Sequence, residues 1–127
     1  MISIEEVEEV HQLLILQFGG SSGIRDKDSL ASALARPFQT FDGKELYPDP
    51  VSKAACLIQS ILSNHPFIDG NKRTGYVLMR LFLNSIQLDI SATQDEKYHF
   101  VISIASGKSS FEEILAWITA HLSLPEK

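Results

Sequence analysis

The stretch that decides how this chain folds and acts runs from His65 to Gly75 and reads HPFIDGNKRTG. It places one imidazole, one carboxylate, one amide and two cations in a short loop that contains a glycine. The apolar run Tyr76–Leu83 comes directly afterwards and predicts a helix. Cations and free backbone N–H groups at the start of a helix form an anion site. The residues beside that site therefore suggest transfer of a phosphate-containing group.

His65 and Asp69 carry the chemistry that such a transfer needs. Because His65 precedes Pro66, its backbone is pushed away from helical geometry and the helix before it should end there. Its imidazole can accept a proton from a hydroxyl near neutral pH, and the alternative role is a C-terminal helix cap. Asp69 can bind Mg²⁺, which prefers one or two carboxylates together with phosphate oxygens. The alternative for Asp69 is to cap the next helix, and the two roles can coexist.

The remaining loop residues are interpreted from their backbone and charge. Gly70 permits a turn that larger residues resist, while Asn71 can hold the loop, touch phosphate or cap the helix. Lys72 and Arg73 stand beside the positive end of a helix dipole, an unfavourable place for cations unless an anion is neutralised there. The alternative for both is an ordinary solvated surface charge. For Phe67, an apolar anchor that holds the loop is favoured over a contact with the substrate.

Length, charge and cysteine content narrow the class of protein. The 127 residues fit one domain with a real core, and the net charge of −5 argues against general binding to nucleic acids or anionic membranes. Cys56 is the single cysteine, so no internal disulfide is possible, and its apolar surroundings predict a buried small hydrophobe. The acidic N-terminal segment is wrong for a secretory signal, and Leu13–Leu16 is too short to cross a bilayer. We therefore expect a cytoplasmic protein.

Capping residues and apolar spacing predict about six helices. Their N-terminal signals are Ser3 with Glu6, Asp26, Asp49-Pro50, the loop at residues 65–75, Thr93 with Glu96, and Ser110 with Glu113. Their expected ends are Gly19-Gly20, Pro37, Ser63-Asn64, about Asn84, Gly107 and a point beyond Leu122. The apolar faces expected on the last two helices are Tyr98, Val101, Ile102 and Ala105, then Phe111, Ile114, Leu115, Ile118 and Leu122.

Two segments are predicted to lie outside the helices. Residues 38–49 contain Asp42-Gly43, a hairpin-turn dipeptide, and favour a short two-stranded flap or an irregular loop. Residues 85–92 form a connector in which Leu88 and Ile90 can be extended. The prediction is a compact all-α single domain of about six helices with a small β-hairpin flap.

Other patterns carry less weight. The run Gly19–Gly23 superficially resembles a phosphate-binding loop, but no Lys-Ser/Thr ending or preceding strand accompanies it, so a helix stop and flexible loop are expected. His65 and Asp69 could be two transition-metal ligands, although no third ligand is evident. The other histidines lie within or at the ends of helices and are given no special role; they are His11, His99 and His121.

Residues 65–73 resemble the signature of the Fic/Doc superfamily, H-P-F-x-[D/E]-G-N-[G/K]-R. The resemblance extends to residues 23–26 and 35–37 and covers nearly the whole chain, residues 1–127, as one Fic/Doc domain. Most Fic enzymes carry glycine where this chain has Lys72, and commonly a second arginine where it has Tyr76. Both departures are shared with the death-on-curing (Doc) toxins, which the chain resembles most.

The resemblance implies a reaction. Fic enzymes transfer AMP from ATP to a hydroxyl of a target protein, whereas Doc toxins transfer the terminal phosphate to a threonine of elongation factor Tu and block translation. A lysine in place of glycine removes space and adds charge, so the nucleotide should sit differently. The resemblance makes His65, Asp69, Lys72 and Arg73 the catalytic residues, with Asp69 holding Mg²⁺. It places ATP against Phe67, Gly70, Asn71, Lys72 and Arg73.

The resemblance also implies partners. The flap at residues 38–47 would hold the target as an added strand. The inhibitory pattern of many Fic enzymes, [S/T]-x-x-x-E-[G/N], fails here at Ile114, so a separate antitoxin is expected whose disordered tail folds onto the toxin. Some apolar faces assigned to the core can belong to that groove instead. The alternatives to a toxin kinase are an AMP transferase, an inert interaction module of the same fold, and a phosphotransferase on another donor or a small molecule.

Overall fold

A computed structural model describes residues 2–125 of the chain. The α-helices within these residues are α1 (Ile4–Phe18), α2 (Lys27–Ala35), α3 (Pro50–Asn64), α4 (Asn71–Ser85), α5 (Gln94–Ala105) and α6 (Phe111–Ala120). Two antiparallel pairs of short strands accompany them: β1 (Thr40–Phe41) with β2 (Lys44–Glu45), and β3 (Asp89–Ile90) with β4 (Leu122–Ser123). The predicted all-α class with a small hairpin is confirmed. Across residues 2–125, no helix is both long and apolar enough to span a membrane.

Side chains cap five of these helices at their N-termini, as the sequence predicted. Each capping side chain accepts a hydrogen bond from the backbone N–H three residues further on; the caps are Ser3, Asp26, Asp49, Thr93 and Ser110. Such a cap contributes about 1 kcal/mol of stability. The sequence signals therefore place these five helix starts correctly, and α4 alone among the α-helices of residues 2–125 begins without a side-chain cap.

Helix α3 forms the centre of the core and packs against α2, α4, α5 and α6. Its residues 52–58 and 60–62 are buried. Cys56 is among them, as predicted, and burial raises the pKa of its thiol. Helices α3 and α4 approach closely at Gly75, where an added methyl group would lie 3.1 Å from side-chain carbons of Ile61 and Leu62. Glycine is unfavourable inside a helix, and this contact with α3 explains its presence.

The hairpin predicted at Asp42-Gly43 is present and is anchored to α3. Thr40 pairs with Glu45 in its two-residue ladder. The largely buried Lys53 ammonium donates to the Glu45 carboxylate at 2.8 Å and to the carbonyl of Tyr47. Arg36 donates to the Tyr47 hydroxyl at 3.1 Å and to Ser60 of α3 at 2.9 Å. The two cations thus fix the base of the flap to the helix that also ends at His65.

The predicted inner face of α5 is wrong at two of its four residues. Tyr98 is 63% exposed and Ile102 is 37% exposed, whereas Phe100 and Ile104 face the core. The helix carries apolar residues on both sides, and Phe100 lies inward because its ring stacks on that of Trp117 in α6, with centroids 3.8 Å apart. Tyr98 and Ile102 therefore form an exposed surface instead, while Val101 and Ala105 are partly buried against the core as predicted.

The predicted end of the last helix is also wrong. Helix α6 stops at Ala120, so Leu122 does not extend its apolar face but pairs with Ile90 in the β3–β4 ladder. The extended connector at Ile90 was predicted, but its partner strand was not. A two-residue strand that gains its stability from a distant segment leaves no periodic signal in the sequence.

Replacing Gly75 by valine is expected to lower the free energy of unfolding by about 1–3 kcal/mol, because the branched side chain would collide with α3. Ala116→Val on the exposed side of α6 provides the control, and its expected cost of about 0.5 kcal/mol reflects helix propensity alone. Urea unfolding followed by circular dichroism measures both. Equal losses for the two variants would show that α3 and α4 do not meet closely at this point.

Candidate active site

His65 ends α3 in a conformation that the surrounding residues stabilise. Its backbone is left-handed, with φ 47° and ψ 57°, which is uncommon for a residue with a side chain. Arg25 donates from Nε to the His65 carbonyl at 2.8 Å and from its terminal guanidinium nitrogen to the Asn64 carbonyl at 2.9 Å. These bonds satisfy carbonyls that the end of a helix leaves unpaired. The exposed imidazole of His65 thus stands at a point where the main chain is fixed.

The segment before α2 lies along the loop and is hydrogen-bonded to it. The backbone N–H groups of Arg25 and Asp26 donate to the Pro66 carbonyl at 2.7 and 3.1 Å, and the N–H of Ile68 donates to the Gly23 carbonyl at 3.1 Å. Residues 23–26, which took part in the sequence resemblance, therefore hold the loop through main-chain hydrogen bonds.

Asp69 is an exposed carboxylate held by two backbone donors. Ser21 donates its N–H to Oδ2 at 3.1 Å, and Gly70 donates its own to Oδ1 at 2.8 Å. These two bonds, with that from Ser21 the larger influence, hold the pKa of the Asp69 carboxyl below its usual value. Asp69 is therefore ionised at neutral pH. It does not cap α4, because Gly70 occupies the capping position.

The glycine-rich run before residue 24 has a contact that the sequence analysis missed. Gly19 ends α1 as predicted, but the segment beyond it does more than connect helices, since Ser21 lies against Asp69. An added methyl group at Gly20 would lie 2.7 Å from Asp69 Oδ2. The absence of a side chain at Gly20 therefore leaves room for the carboxylate.

Asn71 holds the loop from inside α4. Its amide oxygen accepts from the Phe67 N–H at 2.9 Å, and its amide nitrogen donates to the Phe67 carbonyl at 3.0 Å. Of the three roles that the sequence left open, the structure shows the first. Both polar groups of the side chain are engaged with Phe67, which leaves the backbone N–H and the second amide hydrogen of Asn71 for a ligand.

Lys72 and Arg73 lie exposed in the first turn of α4, where they were predicted. The Arg73 guanidinium lies 4.2 Å from the ring centre of Phe18 at the end of α1, a cation–π arrangement. With no capping side chain, the first N–H groups of α4 keep their hydrogen-bonding capacity for a ligand. The helix dipole and these N–H groups therefore suit an anion at the start of α4, where two cations are also exposed.

Phe67 is the apolar anchor that the sequence predicted, and its partner was missed. It is 1% exposed, and the ring of His11 in α1 stacks on it with centroids 4.1 Å apart and planes 7° from parallel. His11 Nε2 also lies 2.8 Å from the Asp69 carbonyl. The sequence did contain a signal, because His11 shares helical spacing with Val7 and Leu14 on the apolar face of α1.

The second turn of α4 carries no cation at position 76. Tyr76 is buried, and burial raises its pKa to about 12, so the side chain is a neutral phenol. Lys97 of α5 lies 5.6 Å from the centre of its ring. The second turn of α4 therefore has no cation of its own, and Lys97 of α5 supplies a charge beside it.

The donor set suits Mg²⁺ that arrives with phosphates better than a metal held by protein alone. Among residues 2–125, no group of three or more His, Cys, Asp or Glu side chains is placed to hold a metal ion. Asp69 is ionised and exposed, and each of its oxygens accepts one backbone N–H, which leaves further lone pairs available. One carboxylate supplemented by phosphate oxygens is the common magnesium arrangement.

Comparisons with known proteins agree on this region. A model described as the Fic/DOC family matches residues 1–83. The chain is also 36% identical over 103 residues to a protein named Toxin Doc from Mycolicibacterium smegmatis, an alignment that covers 80% of this chain and 79% of that protein. The loop and the residues that contact it from α1, the glycine-rich run and the segment before α2 all lie within residues 1–83.

The Asp69 carboxylate is expected to respond to Gly20→Ala and not to Gly19→Ala. Both glycines have positive φ, so both variants strain the main chain, but nothing lies within 4 Å of a methyl group at Gly19. Only the Gly20 variant pushes on Asp69 and weakens its bond from Ser21, so the pKa of Asp69 should rise towards its usual value. NMR titration of the carboxyl carbon measures this. An unchanged pKa in Gly20→Ala would contradict the arrangement.

Proposed function

Because the chain belongs to the Fic/DOC family, we propose that it is a toxin-type protein kinase that transfers the terminal phosphate of ATP to a hydroxyl of a target protein. Members of this family are typically transferases, acting as kinases or AMP transferases. The observation that carries the proposal is the uncapped start of α4, where two exposed cations follow directly after a loop that holds His65 and Asp69.

The start of α4 is proposed to bind the phosphates of ATP. Backbone N–H groups at residues 71–73 supply hydrogen bonds, while Lys72 and Arg73 neutralise charge. Phosphoryl transfer depends mainly on positioning and on electrostatic stabilisation of the transferred group, since there is little covalent chemistry for the protein to perform. Hydrogen bonds that hold the loop supply that positioning: Arg25 donates to it, Asn71 donates to and accepts from it, and the Gly23 carbonyl accepts from it.

His65 is proposed to act as the general base. The target hydroxyl gives its proton to the imidazole as its oxygen attacks the terminal phosphorus. The bond from that phosphorus to the bridging oxygen of ADP breaks, and ADP leaves with the electron pair. A positioned base contributes about 10²–10⁴-fold to such a step. The bond from Arg25 to the His65 carbonyl holds the main chain from which the exposed imidazole extends.

Asp69 is the residue that would hold Mg²⁺ with the nucleotide, and the bound ion would neutralise charge on the phosphate oxygens. The backbone bonds from Ser21 and Gly70 keep the carboxylate ionised and oriented before any ligand arrives. This arrangement explains why Asp69 receives backbone hydrogen bonds yet remains exposed.

The charge distribution along α4 favours kinase chemistry over AMP transfer. The AMP-transferring relatives have glycine at the position of Lys72 and often arginine at that of Tyr76. Here the first turn gains a bulky cation, while the second turn holds a buried neutral phenol. The triphosphate is therefore proposed to sit with its terminal phosphorus, rather than its α phosphorus, facing the acceptor.

The flap is proposed to present the acceptor. Strands β1 and β2 are exposed, and Lys53 and Arg36 fix their base beside α3. An extended target segment can add to such an edge through main-chain hydrogen bonds. By resemblance to Doc toxins, the target is proposed to be a threonine of elongation factor Tu in the cytoplasm, where its phosphorylation would inhibit translation.

A cognate antitoxin is proposed to cover the groove between α4 and α5. This groove encloses about 300 Å³ and is lined by Lys72 and Arg73 at one end and by Tyr98 and Ile102 along α5. Its exposed apolar side chains are those wrongly predicted to be buried. A segment bound there would lie directly beside the proposed phosphate site, which gives it a means of inhibition.

His65→Ala is expected to lower phosphate transfer to elongation factor Tu by about 10²–10⁴-fold and to relieve growth arrest on expression. Its control is His99→Ala, which removes an exposed histidine from α5. ATP labelled at either the α or the γ phosphorus provides the assay, and label should reach the target from the γ position. Transfer from the α position alone would establish AMP transfer instead. Unchanged toxicity in His65→Ala and Lys72→Ala would indicate a binding module.

Hydrogen exchange should locate the antitoxin. A protein that relieves growth arrest on co-expression is expected to protect the backbone amides of residues 97–102 from exchange, because its bound segment would cover this side of α5. The exposed face of α6 serves as the internal reference. Protection confined to other helices would place the antitoxin elsewhere.

A further inference from the structure

His11 is a buried polar side chain that the proposed reaction does not use. It lies within α1 and is 2% exposed. Its imidazole makes two contacts with the loop. The ring stacks on that of Phe67 with centroids 4.1 Å apart, and Nε2 lies 2.8 Å from the Asp69 carbonyl oxygen. One imidazole thus contacts the loop at two residues that flank Ile68.

The direction of the polar contact follows from its chemistry. A carbonyl oxygen only accepts hydrogen bonds, so Nε2 of His11 carries a hydrogen and donates it to Asp69. The parallel stack on Phe67 fixes the plane of the imidazole and therefore the direction of that N–H. The Asp69 carbonyl is held in turn in one orientation.

The same peptide unit also holds the Asp69 carboxylate. The carbonyl of Asp69 and the N–H of Gly70 belong to one planar group, and that N–H donates to Asp69 Oδ1 at 2.8 Å. His11 therefore donates to the carbonyl of this peptide, while the Asp69 carboxylate accepts from its N–H. Rotation of the peptide would break the bond to His11 and would also move the N–H that orients the carboxylate.

We propose that His11 is a positioning residue that orients the Asp69 carboxylate for a divalent cation bound with nucleotide. The inference rests on the proposed function, because it assigns Asp69 to the cation. It goes beyond that function by making α1 part of the cation site through a residue that touches neither cation nor nucleotide. Residues that orient a metal ligand commonly change metal affinity by about 10–100-fold when replaced.

Three replacements separate positioning from simple packing. His11→Phe keeps an aromatic ring against Phe67 but removes the donor, so the Asp69 carbonyl is released. His11→Gln keeps an N–H donor at nearly the same distance from the main chain but removes the ring. His11→Ala removes both. Ile118→Val is the control: it leaves a small cavity on the buried face of α6 and lowers stability, but residue 118 is not among the residues that hold the loop.

The experiment measures Mn²⁺ as a spectroscopic substitute for Mg²⁺, bound to the full chain with a non-hydrolysable ATP analogue. Electron paramagnetic resonance gives the Mn²⁺ affinity at a temperature below the unfolding transition of every variant, and circular dichroism gives those transitions. We expect affinity to fall about tenfold or more in His11→Phe and His11→Ala. It should fall less in His11→Gln than in His11→Phe, because the glutamine amide keeps a donor for the Asp69 carbonyl. It should stay at the wild-type value in Ile118→Val, which leaves the contacts to the loop intact.

Two outcomes would overturn the inference while leaving the proposed function intact. In one, all three His11 variants bind Mn²⁺ with the analogue as wild type does. In the other, affinity follows the unfolding temperature across all four variants, as a purely structural role requires. Failure of wild type itself to bind Mn²⁺ with the analogue would overturn both the proposed function and the role of His11.

Discussion

The close packing of α3 against α4 is the constraint on which the site depends. Residues 65–70 join these two helices, and Gly75 lets their axes approach until side chains of α3 fill the space that a larger residue would occupy. The loop therefore has both ends fixed in the core. The main chain at His65 and at the start of α4 is therefore fixed, which reactions that depend on positioning require.

The loop is held from its other side by residues far away in sequence. His11 contacts it from α1, Ser21 from the glycine-rich run, and Arg25 from the segment before α2. Most of these bonds reach main-chain atoms of the loop, while its charged side chains remain exposed. The result is a fixed main chain that presents exposed charged groups, an arrangement on which electrostatic preorganisation depends.

Local features of the fold could be predicted from the sequence. Five helix starts were found because capping is a contact between residues three apart, and the hairpin was found from the dipeptide Asp42-Gly43. The loop residues could be named because their combination of base, carboxylate and cations is unusual at a helix start. These signals all lie within one stretch of chain.

Features that depend on distant contacts could not be predicted. The sequence of α5 alone does not determine whether Phe100 or Tyr98 faces the core, because Phe100 is held inward by its stack on Trp117 of α6. The β3–β4 pair joins residues more than thirty positions apart. His11 was passed over because a histidine on an apolar face says nothing about its partner. In each of these examples the position of the side chain or strand depends on a partner in another helix, strand or loop.

The central claim is that the uncapped start of α4, with Lys72 and Arg73, receives the phosphates of ATP. The most direct measurement is an NMR titration of the ¹⁵N-labelled chain with ATP and Mg²⁺. The account predicts that the amide signals of residues 70–73 shift and saturate, and that the Lys72→Ala variant needs a higher ATP concentration to reach the same shift. Saturable shifts confined to other parts of the chain, with these four amides unmoved, would contradict it.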